Sequence, residues 1–290
     1  MSYDRNSPAI KRGSALRAAA ENVASIPRRD MTRVMTRPAL TLDRLALVAR
    51  GLWGFAPNDP RARPFVRLRS HLLGRMARGE CGKTIAVVSA GADVGKSFVA
   101  ANLAAALAEL HHVCLIDLNL RDPVIGEMLG APECAGIDDL LAGERRLSEI
   151  GCMADDGKLV VLPARPSAQA TRLLSTEKLP GLFEAMWRDT ETICIVDTPP
   201  ILDMDDTAII GRYVDGMLLV IEEGRTTAAD VREALRLMHP TPLVGTVLNG
   251  ALISADKGPP VETEAKPEGI RAKARAFVRQ RLASREPSEG

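Results

Sequence analysis

A chain of 290 residues with 46% apolar and 26% charged side chains has room for one ordinary core and some extra chain, and a formal charge of +1 names no partner. Aromatic residues, at 3%, are too few to build stacking platforms, so a specific nucleic-acid partner is not expected. The sequence has no apolar run of 18 residues and no signal-peptide core at its N-terminus, so a chain that is neither exported nor membrane-spanning is expected. Cys81, Cys114, Cys134, Cys152 and Cys194 are odd in number and form no C-x-x-C pair, which suits reduced thiols and a cytoplasmic location.

The balanced total hides a basic beginning. Residues 1–80 hold 16 Arg and Lys against 6 Asp and Glu, an excess that suits an acidic surface and equally suits a solvated arm. Residues 1–60 therefore read as a partly disordered basic arm. Within it, the spacing of Leu42, Leu45, Ala49 and Leu52 predicts an amphipathic helix over Thr41–Phe55, with Thr41 as N-cap. Pro57 and Pro60 punctuate a linker, and Phe65–Met76 reads as a second helix. From residue 61 to 255 short apolar runs alternate with helical patterns, the mark of a mostly parallel α/β sheet flanked by helices. Strands are expected at Thr84–Ser89, Val113–Asp117, Leu159–Leu162, Thr192–Asp197, Met217–Glu222 and Leu243–Asn249. Helices are expected at Ser97–Leu110, Ile137–Leu141, Thr176–Trp187, Thr207–Gly211 and Ala228–Met238. Residues 256–290 turn polar and end in a basic amphipathic segment, Ile270–Ala283, suited to an acidic membrane surface or a partner protein.

The chemistry gathers where strands end. Thr84–Ala105 (TIAVVSAGADVGKSFVAANLAA) runs as strand, short loop and helix start, the order that builds a phosphate cradle. Backbone N–H groups of the loop Gly91, Ala92, Asp93, Val94 and Gly95 and of the helix start Lys96, Ser97 and Phe98 would face the anion. Lys96 would reach the β/γ-phosphates, and the Ser97 hydroxyl would hold Mg²⁺. The full pattern G-x-x-x-x-G-K-[ST] needs glycine where this chain has Ala90. Two further strands end in carboxylates, Asp117 in VCLID and Asp197 in TICIVDTPP. Ligands of open α/β sheets sit beyond the carboxyl ends of the strands, and a carboxylate there can hold a water of the Mg²⁺ shell or order a nucleophile. MgATP binding follows as the expectation, with Lys96, Asp117 and Asp197 as catalytic candidates and Ser97 and Asp197 as metal candidates.

Residues 62–255 resemble the cytoplasmic ATPase domain of bacterial tyrosine kinases (BY-kinases), which act with a membrane polysaccharide co-polymerase in capsule and exopolysaccharide synthesis. The resemblance rests on VSAGADVGKSFVAANLAAALA, VCLIDLNLRDP, GIDDLLAGE, RLLSTEKLPGLFEAM, IVDTPPILDMDDTAIIGRYVDGMLLVI and VGTVLNG; the D-T-P-P-I-L run with Asp206 downstream is its most specific part. It implies an ATPase with possible tyrosine kinase activity, a homo-oligomer, and a place at the inner face of the cell membrane. By the same resemblance Asp117 belongs to the Walker A′ motif, Asp197 to Walker B, and Asn249 falls where related ATPases contact adenine, although a strand-ending turn residue before Gly250 reads equally well.

The departures bear on function. Walker A′ reads D-x-N-x-R, with Asn119 where the family usually has a carboxylate. Of the family's E-x-x-R-x-x-R assembly motif, aligned on Arg63, Val66 and Arg69, only Arg69 survives. The family's C-terminal tyrosine cluster has no counterpart after Tyr213. Two other readings stay open: a MinD/ParA-type positioning ATPase, against which Gly91 stands in place of that class's signature lysine, and a scaffold that no longer turns over ATP.

Overall fold

The computed structural model describes residues 37–154 and 157–251; the expected helix Ile270–Ala283 and most of the basic arm lie outside them. Eight strands form one sheet: β1 (Ala39–Leu40), β2 (Thr84–Ser89), β3 (Val113–Asp117), β4 (Cys152–Ala154), β5 (Leu159–Leu162), β6 (Ile193–Asp197), β7 (Gly216–Glu222) and β8 (Leu243–Asn249). They are ordered β1-β4-β5-β3-β6-β2-β7-β8, and every neighbouring pair is parallel except β4 with β5. The six expected strands are all present, two of them shifted by one residue at their starts. β1 and β4 were not legible, because two or three residues are too few to show a period.

Strand alternation sorts one continuous apolar run into two cores. Ala86, Val88, Cys114, Ile116, Val160, Leu162, Cys194 and Val196 face one layer, and Ile85, Val87, Val113, Leu115, Leu159, Val161, Ile193 and Ile195 face the other. Covering both faces is what lets a parallel sheet be apolar throughout. Helices α1 (Arg44–Ala49), α2 (Arg63–Ala77), α3 (Lys96–Ala108) and α4 (Ile125–Leu129) cover the second face. The first is covered by α5 (Ile137–Ala142), α6 (Ala170–Leu174), α7 (Lys178–Arg188), α8 (Asp206–Gly211) and α9 (Ala228–Met238).

The segment before β2 departs from expectation. The helix expected over Thr41–Phe55 is a short α1 capped by Asp43, whose carboxylate accepts from the Ala46 amide at 3.0 Å. Gly51, at φ 87°, then turns the chain out of the helix, and Trp53–Phe55 form a 3-10 turn. Leu45, assigned to the apolar stripe, is 85% exposed, while Leu47, Leu52 and Phe55 carry the burial. The helical period failed because the helix stops after six residues. The stretch read as a linker is a second 3-10 turn, Pro60–Ala62, capped by Asp59 and running into α2.

This segment straps the outer side of α3. The Gly54 amide donates to Asn102 Oδ1 at 2.7 Å, and Asn102 Nδ2 donates to the carbonyls of Phe98 and Gly51 at 3.0 and 3.4 Å. Gly54 is required here, because a β-carbon would overlap the Asn102 backbone. The Phe98 ring meets Trp53 and Phe65 edge-on, each at 5.8 Å between centroids, and Arg61 lies over Trp53. Arg69 Nη1 donates to the Ala106 carbonyl at 2.7 Å. α3 is therefore gripped along its length by the sheet on one side and by the strap and α2 on the other.

Candidate active site

The loop between β2 and α3 keeps its shape with alanine at position 90. Its left-handed residues are Asp93 (φ 58°) and Gly95 (φ 82°), so residue 90 has no need of glycine's freedom. The Ala90 side chain is buried in the first core. The backbone is pinned there by Ile201 N–H to Ser89 O at 2.9 Å and Leu202 N–H to Ala90 O at 3.1 Å, and the Ser89 hydroxyl donates to the Gly91 carbonyl at 2.8 Å. Gly91 faces open space, Ala92 and Asp93 are exposed, and Val94 is buried. Asp93 holds the left-handed position at moderate cost, as short polar residues do, and Arg225 Nη1 donates to its carbonyl at 3.2 Å.

α3 begins at Lys96 with Gly95 as its cap and no side chain capping its first amides, which leaves that terminus fit for an anion. Asn249, at the end of β8, donates from Nδ2 to the Val94 carbonyl at 3.0 Å. A β-carbon on Gly95 would overlap that amide, so Asn249 closes the loop from above. The Phe98 side chain lies in the aromatic group with Trp53 and Phe65 and not among the loop residues, so only its backbone remains near the loop.

Beneath the loop, Lys96 Nζ sits 3.1 Å from Asp197 Oδ1 and 3.3 Å from Ser97 Oγ. Lys96 is 8% exposed and Asp197 wholly buried, so the pair is an interior contact. Asp197 Oδ2 is buried without a hydrogen-bond partner. Asp117 lies beside Asp197 in register on the neighbouring strand. Its Oδ1 accepts from the Asn119 amide, and its Oδ2 accepts from the Val124 and Ile125 amides, each at 3.1 Å. Burial and the adjacent Asp197 carboxylate push the Asp117 carboxyl up to about 8, against the opposing pull of the backbone amides and Lys96.

Asn119 gives the D-x-N-x-R departure a structural meaning. Its Nδ2 donates to the Asp122 carbonyl at 2.7 Å, a bond that a carboxylate cannot make. Arg121, the last member of the motif, donates from Nε to Asp206 Oδ2 at 3.1 Å and from Nη2 to Thr171 Oγ1 at 2.7 Å, and Thr171 Oγ1 donates to Asp206 Oδ1 at 2.6 Å. Asp206 is buried, so this network ties the turn after β3 to α6 and α8. Asp206 stands just downstream of the D-T-P-P-I-L run legible in the sequence, whereas Thr171 and Arg225 stand in no motif.

Lys96, Ser97, Asp117 and Asp197 thus lie together at the ends of β2, β3 and β6 beneath the loop Gly91–Gly95, which Asn249 closes from the end of β8. The residues fit a magnesium nucleotide: an uncapped helix terminus, a hydroxyl beside a buried lysine, and a carboxylate with one oxygen still unpartnered. Magnesium keeps most of its waters and needs few direct protein ligands, so Ser97 with Asp197 behind a water would suffice.

A family profile described as "ParA: NUBPL iron-transfer P-loop NTPase" matches residues 80–263. The tyrosine-protein kinase YwqD of Bacillus subtilis is 33% identical over 178 residues, 59% of this chain and 74% of that protein. The succinoglycan biosynthesis transport protein ExoP of Rhizobium meliloti is 30% identical over 236 residues, 79% of this chain and 28% of that protein. The chain spans about a quarter of the length of several of the curated relatives it matches. The kinase domain of the Escherichia coli tyrosine kinase ETK superimposes with a TM-score of 0.64 at 26% identity, over 74% of this chain and 85% of that domain.

Proposed function

From a chain that belongs to the bacterial tyrosine-kinase family of ParA-related P-loop NTPases, we propose an ATPase that binds MgATP at the β2–α3 loop and regulates exopolysaccharide or capsule synthesis. The observation that carries it is the buried contact of Lys96 with Asp197, beside the Ser97 hydroxyl and beneath an uncapped helix terminus. On binding, Lys96 exchanges its Asp197 partner for phosphate oxygens, and the first-turn amides of α3 take the remaining charge. Ser97 and the unpartnered Asp197 Oδ2 would hold a magnesium ion and its water. Magnesium, when bound, supplies neutralisation of charge on the β/γ-phosphates. Asp117, pushed up to about 8 by burial and the adjacent Asp197, holds its proton at neutral pH in the empty site and could take one from an attacking hydroxyl or water only after losing it.

A tyrosine kinase activity follows from the relatives' names, and a membrane co-polymerase partner, a homo-oligomer and a site at the inner face of the membrane follow from the family resemblance; all belong to this proposal. Among the described residues no helix is long and apolar enough to cross a membrane. Arg69, the remaining member of the family's assembly motif, donates from Nη1 to the Ala106 carbonyl of α3.

Purified protein with and without its co-purified membrane partner should hydrolyse ATP, and Lys96→Met should abolish turnover. Phosphotyrosine on the partner that disappears in the same variant establishes the kinase. No binding at millimolar MgATP by calorimetry would overturn the nucleotide reading altogether.

A further inference from the structure

Cys134 lies in the loop between α4 and α5, and Cys152 opens β4, two strands beyond β3. Two contacts bring them together. The Gly151 amide donates to the Ala135 carbonyl at 2.8 Å, setting the residue after Cys134 against the residue before Cys152, and Cys134 packs against the apolar cluster that holds Cys152, where each thiol shifts the acidity of the other. We propose that Cys134 and Cys152 form a thiol–disulfide exchange site, at which a low-molecular-weight disulfide of the glutathione type closes the pair into an intramolecular disulfide.

The two thiols differ in role. Cys134 is half-buried, and the hydrogen bond from Cys152 draws its thiol down to about 7, with Arg165 helping and burial and the carboxylates of Asp139 and Asp138 opposing. Those carboxylates are themselves paired with Arg165. Cys152 is fully buried; its contact with Cys134 and its burial hold its thiol well up, against a weaker pull from Arg37. A reachable thiolate is the attacking group in such exchange, and a buried neighbour resolves the adduct. Cys134 thiolate attacks one sulfur of the small disulfide RSSR, forming Cys134–S–S–R and releasing RS⁻. Cys152 then passes its proton to a released thiolate and attacks the Cys134 sulfur, breaking the Cys134–S–R bond. Two cysteine thiols are oxidised and one RSSR is reduced to two RSH.

The molecule carries its own control. Cys114 and Cys194 are register partners across the parallel strands β3 and β6, and Cys114 with burial holds the Cys194 thiol well up. Both are buried at the centre of the sheet, so a small disulfide has no approach to them.

The test titrates the full chain with glutathione disulfide and digests it with trypsin without reduction. Arg145 and Arg146 lie between the two cysteines, so these leave in separate peptides unless they are linked. The expected map shows one linked pair, Cys134 with Cys152, reversed by dithiothreitol, with Cys114 and Cys194 free. The closed form should melt about 5 °C higher than the reduced form, from closing a short loop of the unfolded chain. Cys152→Ala should stop at a single glutathione adduct on Cys134. The proposal is overturned if wild type also stops at that adduct, if the link forms to Cys81, or if both thiols stay free while Cys81 reacts. The wild-type map decides the matter even should Cys152→Ala fold poorly.

Discussion

The contact between Lys96 and Asp197 makes a quantitative demand on the empty protein. At 3.1 Å and an effective dielectric of about 20, the attraction is roughly 5 kcal/mol. Desolvation of both groups offsets much of this, so the pair is worth little relative to an apolar replacement but much relative to a broken one. Lys96→Met removes the cation and leaves Asp197 buried, its Oδ2 without a donor and the Asp117 carboxyl beside it; the expected loss is about 3–4 kcal/mol. Asp197→Asn should cost less, about 2 kcal/mol, because the Lys96 ammonium keeps the Ser97 hydroxyl at 3.3 Å and lies beneath the loop mouth. The double variant should cost less than the two singles together, with a coupling of about 2–3 kcal/mol. Urea unfolding of the four proteins at neutral pH without nucleotide, with an unchanged denaturant slope, measures it. Additivity within about 0.5 kcal/mol would mean that the ammonium is solvated and that the pair is not the interior contact described.

Three further outcomes follow from other parts of the fold. Gly54→Ala, whose β-carbon would strike the Asn102 backbone, and Asn102→Ala, which strands the buried Gly54 amide, should each cost about 1–3 kcal/mol in chemical denaturation; a loss below about 0.5 kcal/mol for both would show that the strap is not docked. Because the Asp117 carboxyl is raised to about 8 in the fold, the folded state holds a proton that the unfolded chain has lost. Stability of the empty protein should therefore decline as pH rises from about 4 to 8, by up to about 1.4 kcal/mol per unit from this group, and the decline should flatten in Asp117→Asn. Gly91→Lys should be accepted within about 0.5 kcal/mol, since nothing lies near a side chain there; a large melting-temperature drop would show that the loop closes over that position.

What could be read in advance follows from the length of each signal. The six longer strands are largely apolar segments of four to seven residues, and four of them end at Ser89, Asp117, Asp197 and Asn249, so both the sheet and the chemistry at its strand ends were legible. The strap was not, because its burial comes from Leu47, Leu52 and Phe55 spread over a helix, a turn at Gly51 and a 3-10 turn, a sequence of shapes with no single period. Ala90 looked like a defect in the glycine pattern. It is harmless because the strained positions are Asp93 and Gly95, which only backbone angles reveal. Asn119 looked like a lost charge, and its donated bond to Asp122 depends on a turn that no spacing rule specifies. Arg225 and Thr171 were invisible because their contacts join segments far apart in sequence.

Three of the polar groups expected to meet the nucleotide already have partners within the chain. Lys96 holds Asp197, Asn249 holds the Val94 carbonyl, and Asp117 takes three backbone amides. A ligand must therefore replace these contacts, and only the difference appears as affinity. The three are not equally easy to replace. The Asp117 bonds anchor the first amides of α4, and breaking them would uncap a helix. The Asn249 bond closes the loop against β8, so releasing it would let the loop around Gly95 open. Lys96 needs only to swing between two oxygens a short way apart, at no cost to the backbone. Nucleotide entry is thus expected to move Lys96 first and Asn249 second while Asp117 stays in place, leaving Asp117 as the fixed carboxyl of the site and Asn249 as the residue through which β8 senses whether the loop is filled.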